Sequence, residues 1–382
     1  MKPRVLMMSQ EVHPIPPLKG AAVEQWIDEV ARRMKGVQPH VVSVSHPSRP
    51  DDEAEAGVIY HRIRIGRLYK RLFRKITRID PFPYIRRVAD YARQIDAQLL
   101  HIHNAPQFVA PMQKLLPSAK LVLHMHNEKA FGASGSVACL VGCSKYITDW
   151  FRRRDFAADR FSVLPNGVDV ERFRPGPVDL ELRRSFGIPD DAFVVQYVGR
   201  ISPEKGVDRL VSAFREIRRP GVHLLLVGEW PQGDARASER VRFAAELRRA
   251  LDGLPHTIID VISPSEVHRY FHLGDVIVVP SRFEEPFSMV AIEAMASGIP
   301  VVAARKGGMV EYLRHGANSL LFDAEAGPEA IAEVIQVVHD DSRMRHDLTA
   351  AGRKLVCDQF DWNIVADRTA AFYHEILSGR HA

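Results

Sequence analysis

The sequence predicts an α/β protein in which parallel strands alternate with helices, arranged as two domains. Two observations carry the fold class and a third carries the division. Apolar runs rich in β-branched residues, such as Val276–Val279, Phe193–Val198 and His223–Gly228, read as strands buried on both faces of a parallel sheet. Each passes through a loop of glycine, proline or charged residues into a helical pattern, the alternation of a doubly wound sheet. Composition then shifts at Arg174-Pro175-Gly176-Pro177, the best domain boundary in the chain. On this reading residues 1–164 are the first domain, 165–177 a linker and 178–362 the second domain.

Bulk composition is that of ordinary globular protein, with 46% hydrophobic and 26% charged residues over 382 positions. That length suffices for two or three cores. Three cysteines (Cys139, Cys143 and Cys357) make no disulfide framework, and the first two sit in an apolar run as buried thiols of a reducing compartment do. No apolar stretch approaches the roughly 20 residues of a membrane span. Met1-Lys2-Pro3-Arg4 opens into a strand pattern instead of a signal peptide, so a cytoplasmic location is expected. The net charge of +5 is unevenly spread. From His61 to Arg93 eleven basic residues face only Asp80 and Asp90, a net of +9, which leaves −4 for the rest.

Arg4–Ser9 reads as the first strand, followed by a loop with Pro14, Pro16 and Pro17. Lys19-Gly20-Ala21-Ala22-Val23-Glu24 then opens a helix with Trp26, Ile27, Val30, Ala31 and Met34 near helical spacing. A glycine at such a junction lets a ligand approach the backbone, though a plain tight turn looks the same. Val41–Ser45 and Gly57–Ile65 are further strand patterns. Between Tyr69 and Ile79, Leu72, Phe73, Ile76 and Ile79 recur at helical spacing among arginines and lysines. A basic amphipathic helix of this kind, within residues 62–87, suits an anionic membrane surface or a polyanion; an ordinary surface helix is the competing reading.

Leu99–His103 and Leu121–His126 are strand patterns that each end in His-x-His followed by Asn. Residues two apart in a strand share a face, so each pair aims both imidazoles one way. Zinc is the tempting reading. However, the pairs end different strands and no cysteine or carboxylate cluster completes a ligand set, so no metal is expected. A strand-end histidine suits hydrogen bonding to a sugar or phosphate. Val137–Gly142 is another strand, and Ser144 is expected to cap a helix ending near Arg154.

In the second half, Gly199 bends the end of Phe193–Val198, and Arg200 and Lys205 follow five residues apart. A bidentate guanidinium with a mobile ammonium makes a sensible diphosphate clamp, although loop cations are usually just solvated. Thr257–Ile262 is a strand and Ser265 is expected to cap a helix to Leu273. After Val276–Val279 comes Pro280-Ser281-Arg282-Phe283-Glu284-Glu285, and Ser288 is expected to cap a helix to about Ser297. The N–H groups of Phe287, Ser288 and Met289 would then face an anion at the positive helix terminus. Glu285 and Glu293 flank that terminus, where carboxylates accept hydrogen bonds from sugar hydroxyls; a spaced Glu pair alone is more often a solvated helix face. The strand Pro300–Ala304, Gly307-Gly308, Glu311 and two amphipathic helices (about Pro328–His339 and Asp341–Phe360) complete the domain.

The string from Tyr197 to Phe214, the pair Glu285 and Glu293, and Gly307-Gly308 with Glu311 closely resemble the donor-site motifs of the retaining glycosyltransferases of family 4. Weaker likeness extends over essentially the full chain. The resemblance implies the GT-B fold: two facing Rossmann-like domains, an interdomain cleft, and a C-terminal helix, about residues 363–382, that crosses back to the first domain. It implies a hexosyltransferase whose substrate is a nucleoside-diphosphate sugar, most often a UDP-sugar, with a carbohydrate, lipid-linked or protein acceptor and without cofactor, metal or nucleic acid. By the same likeness, Arg200 and Lys205 neutralise the leaving diphosphate, Glu285 holds sugar hydroxyls and Glu293 the ribose hydroxyls. Gly20, Ile262, Phe287, Ser288 and Met289 complete the donor site, His126 positions sugar and acceptor, and His103 and Asn127 lie on the acceptor side. The HMHN string and the basic segment are similar to the spore-coat-associated branch of the family, which adds a spore coat or the inner membrane face to the expected locations. The chain departs from the pattern at Ala21, where a second glycine is usual, and at Pro286 and Ser288, positions often held by glycine. Proline is tolerable in a helix first turn.

Rival functions explain fewer of these residues. A non-catalytic coat or scaffold protein need not keep Arg200, Lys205, Glu285 and Glu293. A nucleotide-sugar epimerase could share the fold and would need no acceptor. Nucleic-acid binding rests on the basic window alone, which lacks interleaved aromatic platforms.

Overall fold

A computed structural model describes residues 2–18, 20–76, 82–130, 134–233 and 238–379. The chain divides into two compact units, residues 1–167 with 362–382, and residues 168–361. Residues 168–177, expected as linker, join the second unit for a local reason. The Val168 N–H donates to the Phe360 carbonyl at 2.8 Å, and the Arg353 guanidinium donates to the carbonyls of Val170 and Phe173.

The first unit holds eight strands: β1 (Arg4–Met8), β2 (Gln38–Val44), β3 (Asp52–Glu55), β4 (Val58–Ile63), β5 (Leu99–His103), β6 (Lys120–Met125), β7 (Cys139–Gly142) and β8 (Phe161–Val163). Their order is β3-β4-β2-β1-β5-β6-β7-β8, parallel throughout except for the β3–β4 hairpin. The sequence reading missed β3, because Asp-Glu-Ala-Glu shows no apolar alternation. It is an exposed sheet edge, and edge carboxylates discourage pairing with another chain. Chain order turns around β1, which lies between β2 and β5. The helix Ala22–Arg33 buries Trp26, Ile27, Val30 and Ala31 and packs beside the helix Trp362–Ser378.

The second unit holds six parallel strands: β9 (Phe193–Val198), β10 (Val222–Val227), β11 (His256–Ile259), β12 (Val276–Val279), β13 (Val301–Ala304) and β14 (Leu320–Phe322). Their order is β11-β10-β9-β12-β13-β14. Val195, Tyr197, Leu224, Leu226 and Val278 enter one core, while Val194, Leu225 and Val227 enter another. Burial of alternate residues on opposite faces is why these strands read as unbroken apolar runs.

Side-chain caps mark some of the helix starts. Ser144 accepts from the Ile147 N–H at 3.3 Å and Asp341 from the Met344 N–H at 2.8 Å. Ser265 caps nothing: its hydroxyl pairs with that of Ser263 at 2.7 Å, and the helix Val267–Phe271 starts after Glu266. The basic amphipathic helix is a single α-turn, Arg67–Tyr69, running into a π-helix, Lys70–Ile76; residues 77–79 of the expected helix lie outside the described residues. No helix among the described residues is long and apolar enough to cross a membrane.

Candidate active site

In the second unit, β9 and β12 are adjacent where chain order reverses, so the loops after them leave the carboxyl edge side by side. The first loop contains Gly199–Gly206 and the second Pro280–Glu285. Lys205 Nζ donates to Glu285 Oε1 at 2.7 Å, and Ser281 Oγ donates to the same oxygen at 2.7 Å. Glu285 is only 5% exposed, and the Lys205 ammonium lies 4.8 Å from the centroid of the Phe283 ring. Arg200 is exposed and makes no ion pair among the described residues. The two cations expected as a clamp therefore differ: Lys205 is engaged by a buried carboxylate, and Arg200 is exposed to solvent.

The turn at Gly307-Gly308 clips this loop in place. The Gly307 N–H donates to Glu284 Oε2 at 2.6 Å and the Gly308 N–H to the Glu285 carbonyl at 2.7 Å. At Gly307 φ is +57°, and a Cβ there would lie 2.3 Å from the Glu285 carbonyl oxygen, so only glycine fits. Gly206, at φ +69°, is under the same constraint, since its Cβ would lie 2.0 Å from the Pro280 carbonyl oxygen.

Ser288 does cap the helix Met289–Ala296, its Oγ accepting from the Ala291 N–H at 3.4 Å. It does so at φ +73°, the left-handed region that explains a usual glycine at this position. The helix terminus accordingly begins at Met289. Phe287, expected among its donors, precedes the cap: it is buried against Tyr312 and Phe360, and its carbonyl accepts from the Tyr312 hydroxyl at 2.6 Å. Pro286 likewise lies two residues before the cap and not in the first turn. Glu293 sits inside the helix, where burial pushes its carboxyl up to about 7 and Arg172 offsets part of the shift. Ile262 backs a small apolar cluster beside exposed Val261.

In the first unit β5 and β6 are neighbours, paired so that His103 lies opposite His124. The two His-x-His pairs, expected on separate strands, therefore come together. Trp26 fills the centre, its ring 4.8–6.2 Å from all four imidazole centroids, with Nε1 donating to the Pro165 carbonyl at 2.9 Å. His103 Nδ1 lies 3.2 Å from His126 Nε2, and His101 Nδ1 lies 2.5 Å from the Tyr373 hydroxyl. Burial lowers the pKa of all four, and neighbouring imidazoles lower His101, His103 and His124 further. His126 falls to about 4, with Asn166 opposing the shift.

His101, His103 and His124 are fully buried, and His126 is partly exposed. His103, expected on the acceptor side, thus contacts His126 and leaves the surface to it. The donor nitrogens of His101, His103 and His124 lie within 4.8 Å of one another. Tetrahedral zinc with bonds of ~2.0–2.1 Å would draw them to about 3.4 Å, and the His101 and His124 rings are stacked at 4° instead of converging. Asn104, at φ +49°, orients the His126 backbone by accepting its N–H at 2.7 Å. Asn127 turns its oxygen to the Lys129 N–H at 2.9 Å, and Gly20 is exposed with open space where a Cβ would stand. Trp26, Asn104, Ser281, Phe283 and Tyr312 support these sites and escaped the sequence reading. Trp26 read as ordinary helix core, and only the adjacency of β5 and β6 reveals otherwise.

Comparison with known proteins covers both units. The Glycosyltransferase Family 4 model matches residues 23–172 and the Glycosyl transferases group 1 model matches residues 178–355. Lipopolysaccharide 1,2-N-acetylglucosaminetransferase of Salmonella typhimurium is 32% identical over 96% of each chain. The chain belongs to the family 4 glycosyltransferases of the GT-B fold. This glycosyltransferase is also similar to spore coat protein SA of Bacillus subtilis, 26% identical over 97% of this chain and 99% of the relative. Sucrose-phosphate synthase from Thermosynechococcus elongatus shares its fold with a TM-score of 0.77 at 22% identity, covering 99% of this chain and 100% of that one. Anabaena Alr3699/HepE, solved with UDP-glucose, does so with a TM-score of 0.75 at 19% identity over the same shares. As a member of the family, the glycosyltransferase moves a sugar from a nucleotide sugar.

Proposed function

We propose that this glycosyltransferase transfers a hexose from a UDP-sugar, with retention and without a metal, to a glycan, lipid-linked or protein-linked acceptor of an envelope or coat. The supporting observation is the Lys205–Glu285 pair at the β9/β12 switch point, beside exposed Arg200 and ahead of the Met289 helix terminus. As the bond from the sugar to the diphosphate breaks, negative charge grows on the leaving oxygens. Arg200 and Lys205 stabilise that charge, and the N–H groups of Met289 and Val290 add a positive terminus. Lys205 and Ser281 both occupy Oε1 of Glu285, which leaves Oε2 to accept from a sugar hydroxyl. Glu293 accepts from the ribose. His126, held neutral by burial, orients the acceptor hydroxyl without bringing a charge of its own. The UDP-glucose seen in Alr3699/HepE supports the choice of donor, and the action of the Salmonella relative on lipopolysaccharide supports an envelope acceptor. The proposed place is the cytoplasm, at the inner membrane face or a forming coat.

The test is release of nucleoside diphosphate from UDP-, GDP- and ADP-sugars by purified protein in EDTA. Release from the UDP-sugars alone is the expected result. No release, together with no nucleotide-dependent rise in Tm, would sink the catalytic reading in favour of a scaffold.

A further inference from the structure

The segment after β4 has two unlike faces. Tyr69 and Phe73, with ring centroids 4.8 Å apart, turn toward the body of the unit. There the Tyr69 hydroxyl donates to the Phe82 carbonyl at 3.2 Å and accepts from the Phe82 N–H at 3.1 Å. Arg87 lies over both the Tyr69 and Phe82 rings and donates to the carbonyls of Phe82 and Arg64. The outward face carries Leu68, Leu72 and Ile76, four residues apart, with exposures of 81%, 48% and 66%. Lys70 and Arg71 are exposed beside them. Three large aliphatic side chains left in water on one helical turn after another form an exposed apolar stripe that needs a reason.

We propose that this face docks on an anionic lipid bilayer. The sequence places eleven basic against two acidic residues between His61 and Arg93, in a chain whose remainder is net negative. Arg62 is buried against Glu53, and Arg64 and Arg93 pair with Asp51 and Asp90, which leaves Lys70, Arg71 and Arg86 as exposed cations of the segment among the described residues. Charge alone would suit a polyanionic glycan equally well. The exposed aliphatic residues decide for lipid, because only a bilayer offers an apolar layer beneath an anionic surface. The basic side chains meet the headgroups and Leu68, Leu72 and Ile76 enter the acyl boundary. The inference deepens the acceptor part of the proposed function by favouring a lipid-linked acceptor, but docking itself requires no turnover.

The experiment is co-sedimentation of the full chain with phosphatidylcholine vesicles with and without phosphatidylglycerol, at low and high salt. Donor hydrolysis without vesicles is measured alongside, so that failure of docking and failure of transfer are read separately. Binding to the anionic vesicles only, weakened by salt, is expected. Lys70→Ala with Arg71→Ala should weaken it by roughly 30-fold, at about fivefold per cation. Leu68→Ser with Leu72→Ser and Ile76→Ser should weaken it by at least ~10-fold while leaving hydrolysis and binding to soluble polyphosphate unchanged. The single substitution Leu72→Gln serves if the triple variant melts early. Absence of vesicle binding, equal binding to neutral vesicles, or vesicle binding indifferent to the aliphatic substitutions would overturn the proposal, the last in favour of a polyanion site.

Discussion

The carboxyl edges of the two parallel sheets are built alike and hold opposite chemistry. At the first, four imidazoles pack around Trp26 and are held neutral. At the second, a buried carboxylate is tied to Lys205, with Arg200 exposed nearby and Glu293 within the following helix. Strand order decides where a ligand can approach in both; residue type decides whether it meets hydrogen-bonding rings or charge. Burial acts by one rule on each, disfavouring the ionised form. Because His126 is a base and Glu293 an acid, the same physics makes the two units answer pH in opposite directions.

The largest effect belongs to the core of the neutral edge. Trp26→Ala should cost about 3–5 kcal/mol, since the ring is fully buried and touches all four histidines. Urea unfolding measures it, and a loss below 1 kcal/mol would mean that the histidines pack without it. The pH responses come next. His126 has a folded pKa of about 4, below the usual 6.5, so its unfolded form takes up a proton first as pH falls. Stability from His126 is therefore intact above 6.5 and lost between 6.5 and 4, by about 3 kcal/mol. Glu293, raised from 4.5 to about 7, runs the other way and loses a similar amount, about 3 kcal/mol, as pH rises from 4.5 to 7. The two windows overlap with opposite slopes, so His126→Asn should make stability fall more as pH rises from 4.5 to 6.5 and Glu293→Gln should make it rise more; unchanged melting profiles would break the comparison. Lys205→Ala should lower turnover on the order of 10²-fold. Pairing it with Glu285→Gln should recover stability without recovering turnover, which separates structural from electrostatic roles. The smallest effect is Ser288→Gly: relief of about 1 kcal/mol of left-handed strain against a few tenths lost from the cap should leave a slightly higher Tm.

Most of the fold was legible because buried parallel strands betray themselves as apolar runs. Positions β9, β12 and β13 were readable to within a residue or two, as was the Ser288 cap. What escaped was set by partners distant in sequence. Strand β3 has no apolar signal since its side chains face water. The histidine pairs looked unrelated because nothing local says that β5 and β6 are neighbours. The helix starts at Met289 after the expected Ser288 cap, so the Phe287 N–H, expected among the terminus donors, lies in the loop before it. The residues of the charged site lay in compact motifs, so Lys205 and Glu285 could be named, whereas Tyr312, which anchors the Phe287 carbonyl, lies 25 positions away.

The helix Trp362–Ser378 belongs to the first unit, where Tyr373 reaches His101, although every residue of the second unit lies between them in the chain. During synthesis, then, the amino-terminal sheet waits. The second unit can close on itself once Asp361 has left the ribosome, while Trp26 and its histidines still lack the helix that covers them. A message cut short after that point would yield a finished second unit attached to an unfinished first one, a species with sticky apolar surface that quality-control machinery should meet early.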